Sequence, residues 1–413
     1  MYKSLLLSLL SLTLYSATLP TLLERAQSNE LVEVYKAKLN AASLTYDATK
    51  SSYYPRIDIG ASGQLFSPKD SLGAGQVYNA YAEGSLVLMD GFKRENILDE
   101  KSRRRMASHY DLQQIKKDIS LQVASLYFNL LIVQADIDAL AQTREQLVEQ
   151  LRQQRQFYEA ALTTEDNVAR MEAALANLDY SVEVKRYEYD ESVAKLYTLT
   201  NVLVDKVDGA EIVAPDFGET QELDTLRSMA STAEAVRFQA EQMDSSYYPT
   251  IVLSDRFGYT DYVDDNFESS GLPGLERINT QNILMLHLKM NLIDFSAASE
   301  RKEGVLAEYE ALKSELAYKR KETSADLRLA KRAIARSKTL LKASELSMKA
   351  SNRTFEIIDK KYKARVVDYV KYLDALSQKT ESQAQFNRAM GALKISYARY
   401  YYYAGYDVKE FIK

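Results

Sequence analysis

Ser51-Ser52-Tyr53-Tyr54-Pro55 returns, residue for residue, as Ser245-Ser246-Tyr247-Tyr248-Pro249. The second copy begins 194 residues after the first (245 − 51), close to half of a 413-residue chain. Each copy closes a stretch free of helix breakers and opens an alternating one. Each alternating pair then runs into a Leu-x-Asp turn, Leu88-Met89-Asp90-Gly91 and Leu292-Ile293-Asp294-Phe295, and on into a long helical segment. The chain reads as two copies of one unit: helix, strand, strand, long helix, helix. A repeat of this period constrains the architecture more than any single motif.

Composition supports long helices over a globular core. There are 14 Gly, 6 Pro and 27% charged residues, with most of the breakers near the two strand regions. There is no cysteine, which excludes disulfides, thiolate metal sites and cysteine nucleophiles. His109 and His287 are the only imidazoles, too few for a multi-histidine metal site. The net charge of −5 is spread along the chain and leaves no nucleic-acid footprint. No phosphate-binding glycine loop and no isolated acid–base pair stands out. The reading expects no enzyme, no catalytic residues, no metal and no cofactor.

At the N-terminus Lys3 precedes an apolar run from Leu5 to Leu14, ending in Tyr15-Ser16-Ala17. That pattern reads as a signal peptide over residues 1–17, cleaved after Ser16 or Ala17. The run is too short to span a bilayer, and no later stretch has 18 consecutive apolar residues.

The first repeat is expected over residues 18–200. It opens with a helix at 19–53, has strands at 55–66 and 76–89, and continues in helices at 92–160 and 164–200, with Thr164 placed to cap the last. Residues 201–222 read as a linker. The second repeat is expected over 223–404: a helix to Tyr247, strands at 249–262 and 280–293, and helices at 296–362 and 368–404. Asp264–Glu276 reads as a loop and 405–413 as a C-terminal tail. Within 92–160 the residues Ile115, Ile119, Val123, Leu126, Leu130, Val133, Ile137, Leu140, Leu147 and Leu151 follow a 4-3 spacing, with Arg144 in one apolar slot. That is the coiled-coil period. A helix of nearly ~70 residues would be roughly 100 Å long.

The strands are two-sided. Ile57, Ile59, Ala61, Gly63 and Leu65 share one face against Arg56, Asp58, Ser62 and Gln64. Leu284, Leu286, Leu288, Met290 and Leu292 form the strongest apolar face, expected to meet lipid, opposite Gln281, Met285, His287, Lys289 and Asn291. Apolar outside and polar inside is the pattern of a membrane barrel. Four strands cannot close one, and an open edge cannot face hydrocarbon. The pattern therefore calls for several chains pooling strands; three would supply twelve. An ordinary exported hairpin pair packed on helices is the plainer alternative. Tyrosines at the strand ends (Tyr53, Tyr54, Tyr247, Tyr248, Tyr259, Tyr262) suit membrane interfaces. The Tyr400–Tyr403 run with Tyr406 is expected to pack around the linker.

These residues carry a resemblance. The duplicated unit, the Tyr-Tyr-Pro strand entries, the Leu-Met-Asp-Gly-Phe and Leu-Ile-Asp-Phe exits, and the segments Phe157–Leu162 and Tyr362–Arg365 resemble the TolC-like outer-membrane efflux protein family. The resemblance implies a mainly α fold with a small β part: a coiled-coil α-barrel in the periplasm and a transmembrane β-barrel shared between protomers. It implies a homotrimer in the outer membrane of a Gram-negative bacterium. That trimer would conduct substrate passively for a tripartite efflux pump or a type I secretion system. Its partners would be outer-membrane lipid, a periplasmic adaptor and an inner-membrane pump. The adaptor-docking tip would fall on Ala161, Leu162, Thr163, Ala364, Arg365 and Val366, with Ala161 and Arg365 where the family often has glycine. A charged tip gate would fall on Asp368, Lys371 and Asp374; a solvated, i,i+3-paired helix face is the plainer reading of those three. The rival function is a periplasmic coiled-coil scaffold that never enters a membrane.

Overall fold

The structure, a computed structural model, describes residues 15–69, 73–265 and 277–413, with only the backbone of Tyr15–Ala17. Most of the expected signal peptide (1–14) and of the Asp264–Glu276 loop lies outside the described residues. Two compact units emerge, and neither is one repeat. One holds residues 1–36, 111–225 and 319–413; the other holds 37–110 and 226–318.

In the first unit, β1 (Tyr15–Ala17) pairs in parallel with β4 (Val204–Val207), so the linker is not without structure. The single helix expected over 19–53 is broken in two, α1 (Leu19–Ala26) and α2 (Glu30–Ser51). Asn29 explains the break. Its Oδ1 accepts from the backbone N of Leu31 at 2.7 Å, and its Nδ2 donates to the carbonyls of Thr198 and Leu199 at 2.9 and 3.0 Å. Those carbonyls end α4 (Glu165–Thr200) and lack partners within their own helix. An asparagine inside a pattern-matched helix was thus a cap in disguise.

The long helices are α3 (Lys93–Glu159), α4, α6 (Ala297–Lys363) and α7 (Tyr369–Tyr403). On α3 the heptad residues Ile119, Val123, Leu130, Val133, Leu147 and Leu151 are buried, with Tyr127 and Phe128 fully so. This stretch of α3 is long and apolar enough to cross a membrane by composition. Its buried side chains instead show the core of a helix bundle. Arg144, the exception in the heptad, stays about half exposed and bonds Asp179 at 2.6 Å. Gly391 of α7 lies against Ile132 of α3; a Cβ there would fall 2.2 Å from the Ile132 side chain. Only a residue with no side chain allows so close an approach.

The Tyr run on α7 packs on the linker. Tyr401 donates to the Val213 carbonyl at 3.1 Å, Tyr406 to that of Glu219 at 2.9 Å, and Phe217 meets Tyr400 edge-on. The C-terminal residues join the same layer. Ile412 bridges Ile212, and the Lys413 N–H donates to the Glu211 carbonyl at 2.9 Å.

The second unit carries α5 (Asp224–Glu241, its first residues belonging to the other unit), a 3-10 turn over Gln242–Tyr247, and an antiparallel sheet. The sheet has the order β2 (Arg56–Leu65), β3 (Ala74–Met89), β5 (Thr250–Asp265), β6 (Thr280–Lys289). Both hairpins join by the middle pair, β3 and β5. The edges of β2 and β6 have no partner strand among the described residues. The last strand, expected to reach Ile293, stops at Lys289 because Lys289 faces Thr250, the first residue of β5. Beyond it no strand among the described residues lies opposite.

Candidate functional site: the sheet wall and the helix tips

The ladder registers decide which side chains share a face. Ile59 faces Ala82, Ala82 faces Phe257, and Phe257 faces Asn282; Leu86 faces Leu253, which faces Leu286. The apolar positions of all four strands therefore fall on one side. They stay uncovered: Ile59 is 86% exposed, Leu65 76% and Leu286 64%. Contiguous apolar surface of this kind marks an interaction with lipid or with another chain. Two acids interrupt that face: Asp255, between Gly84 and Leu284, and Asp261, opposite Tyr78.

The opposite face is polar, and it holds an arrangement that alternation alone does not reveal. Tyr81 of β3 lies between Gly60 of β2 and Gly258 of β5. A Cβ on Gly60 would fall 2.5 Å from the Tyr81 ring. The guanidinium of Arg256 lies over that ring, 3.8 Å from its centroid. The glycine leaves a gap in the strand and the aromatic ring fills it, which holds the register. Arg56 and Asp58 pair on the same face at 2.8 Å. His287 and Lys289 lie on it too, opposite Val252 and Thr250.

The helix tips are in the other unit. α3 ends in a Schellman-type turn: Ala161 has φ 55°, and the Leu162 N–H reaches the Phe157 carbonyl at 2.8 Å. α6 ends the same way, with Arg365 at φ 58° and the Val366 N–H on the Lys361 carbonyl at 2.8 Å. Both left-handed positions are thus filled by residues with a Cβ. Arg365 lays its guanidinium 5.0 Å from the Phe157 ring centroid, so the two turns touch. Leu162 and Val366 are exposed at the turns.

Thr164 occupies the N-cap position of α4 but makes no capping bond; its hydroxyl bonds Asp166 at 2.5 Å instead. Asp368 does cap: its carboxylate accepts from the Lys371 N–H at 2.9 Å. Lys371 and Asp374 are exposed one and two turns further on. Behind them, Tyr362 stacks on Tyr372, whose ring also meets Phe355, and Gln154 donates to the Tyr362 hydroxyl. Burial pushes the Tyr362, Tyr369 and Tyr372 phenols up, so they stay neutral.

One further residue escaped the sequence reading. Asp136 on α3 is only 4% exposed, and that burial raises its carboxyl above the usual range against a bond from Asn387 of α7. An acid between Val133 and Ile137 reads as ordinary surface charge, and no local signal marks it as buried. Among the described residues no cluster of three or more His, Asp or Glu could hold a metal ion.

Residues 22–202 match the outer membrane efflux protein family. The match covers the first repeat. Solved structures cover nearly the whole chain. The Campylobacter jejuni CmeC outer membrane channel aligns at 15% identity and TM-score 0.82, over 94% of this chain and 85% of that one. The Vibrio cholerae outer membrane protein VceC aligns at 13% and 0.82, over 94% and 96%. The open state of the Neisseria gonorrhoeae MtrE outer membrane channel aligns at 14% and 0.79, over 94% and 89%. At such identities the likeness establishes the fold alone, mainly α with a small β part, as in those channels. A comparison with curated proteins finds no match. The efflux-protein match and this fold together support an outer-membrane duct with a periplasmic helical extension.

Proposed function

We propose that three copies of this chain close their twelve strands into one barrel in the outer membrane. Their helices continue as a passive periplasmic conduit for a tripartite efflux pump or a type I secretion system. One observation carries the reading: a four-stranded sheet with one apolar, uncovered face and two edges without a partner strand among the described residues. In hydrocarbon every strand needs a partner on both sides, so such a sheet is stable only when other copies complete it. Leu284, Leu286, Leu288, Met290 and Leu292 then meet lipid, and the polar face with Arg56, Arg256 and His287 lines the water-filled lumen.

The same reading gives the tips their work. Ala161, Leu162, Thr163, Ala364, Arg365 and Val366 form the two turns that would meet a periplasmic adaptor. Lys371 and Asp374, with the carboxylate of Asp368 partly engaged as a cap, would set the charge at the narrow end. The match to outer membrane efflux proteins supports conduction as the work of this duct. Membrane fractionation tests the proposal. A heat-modifiable oligomer in the outer-membrane fraction is the expected result; a soluble periplasmic monomer would overturn it and favour the scaffold.

A further inference from the structure

The internal repeat predicts how one copy joins the next. Residues of β2 become those of β5 on adding 194, as Ser51 becomes Ser245; residues of β3 become those of β6 on adding 204, as Asp90 becomes Asp294. The observed ladders obey both shifts. Arg56 pairs with Ser85, and their counterparts Thr250 and Lys289 pair; Leu65 pairs with Gln76, and Tyr259 pairs with Thr280. The two hairpins are therefore one register used twice. The junction between them, β3 against β5, is seen inside the protomer, with Ala80 opposite Tyr259, Ala82 opposite Phe257, Glu83 opposite Arg256 and Leu86 opposite Leu253.

We infer that β6 pairs antiparallel with β2 of a second copy in the register obtained by shifting that internal junction. It sets Leu284, Leu286, His287 and Met290 opposite Leu65, Gly63, Ser62 and Ile59 of the neighbouring copy. This rests on reading the chain as a barrel-forming duct. Three observations support it. Apolar positions meet apolar positions and polar meet polar, which a slip of one residue would reverse. Lys289, opposite the neighbour's Gly60, comes to lie diagonal to its Asp58. Met290–Ile293, which have no strand beside them in the protomer, gain one, so β6 lengthens toward the reach of β3.

The copy cannot be complete at the exit turn. A Cβ on Gly91 would fall 2.6 Å from the Tyr248 Cβ. The counterpart of Gly91 is Phe295, also left-handed (φ 50°) and 91% exposed. The neighbour's Tyr54 therefore cannot sit on Phe295 as Tyr248 sits on Gly91. At the internal seam the ring against Tyr248 is that of Phe92, whose counterpart is Ser296, so the phenylalanine stands one residue earlier at the subunit seam.

The chain has no cysteine, so paired substitutions read the register directly. Residues directly opposite across an antiparallel pair lie ~4.5–5.5 Å apart at Cα, inside the span of a disulfide; a partner two residues off lies outside it. The full-length His287→Cys/Ser62→Cys variant, oxidised with copper phenanthroline in isolated outer membranes, should give covalent dimers and trimers on a non-reducing denaturing gel. Leu288→Cys/Ala61→Cys should do the same on the other face, which guards against one pair failing to assemble. Either single variant, and the off-register pair His287→Cys/Gln64→Cys, should remain uncrosslinked. Preferential linking of the off-register pair overturns the register. No covalent species from an intact native oligomer overturns the β6–β2 junction. Recovery of the chain as a soluble monomer fails the duct itself, a different result from either.

Discussion

The helical unit and the sheet unit treat the same kinds of side chain in opposite ways. On α3, Ile119, Tyr127 and Phe128 are withdrawn from solvent by neighbouring helices. On the sheet, Ile57, Ile59, Leu284 and Leu286 are left bare. Both segments carry regular apolar periods, 3.5 in one and 2 in the other. The difference lies in what covers them. A helix stripe finds its partner within the chain, while the sheet face finds none in the protomer. An apolar surface that the fold does not bury calls for an apolar surrounding, which the proposed barrel in lipid would supply.

Substitutions can break that contrast. The largest effect is expected at Phe128→Ala, where a ring inside the bundle is lost. It should cost ~3–5 kcal/mol in denaturant unfolding of the detergent-purified oligomer. A cost near zero would mean that α3 is not packed as described. Leu286→Arg comes next. If that face meets lipid near mid-membrane, as proposed, it should cost roughly 2–4 kcal/mol and lower the yield of assembled oligomer in the outer membrane. Normal assembly would show that the bare face does not meet hydrocarbon. At the tips, Asp368→Ala removes the only side-chain cap seen at the start of α7 and should cost about 1 kcal/mol, with Asp368→Asn largely restoring it. The smallest change is a gain: Ala161→Gly relieves a left-handed alanine and should stabilise by roughly 0.5 kcal/mol. A loss there would mean that the Ala161 methyl makes a contact worth more than its strain.

Much of this was legible before any coordinates. The expected strand at 55–66 is Arg56–Leu65, and the expected helix at 296–362 is Ala297–Lys363. Long uninterrupted periods and the Tyr-Tyr-Pro punctuation are local signals, and local signals survive folding. Ala161 and Arg365, singled out as stand-ins for glycine, are the two left-handed tip residues. Other features were hidden because they depend on distant partners. Asn29 breaks a helix through carbonyls about 170 residues away. Asp136 is buried by α7. Tyr81 fills the space left by Gly60 on the neighbouring strand.

Sequence alone determined the duplicated unit, the extents of its four long helices and the two-sidedness of its strands. Each follows from the spacing of side chains along a backbone of known pitch. Tertiary structure decided the order β2-β3-β5-β6, and with it which two edges stay open. It also decided the alignment of four apolar faces onto one side, because register belongs to pairs of strands and no strand carries it by itself.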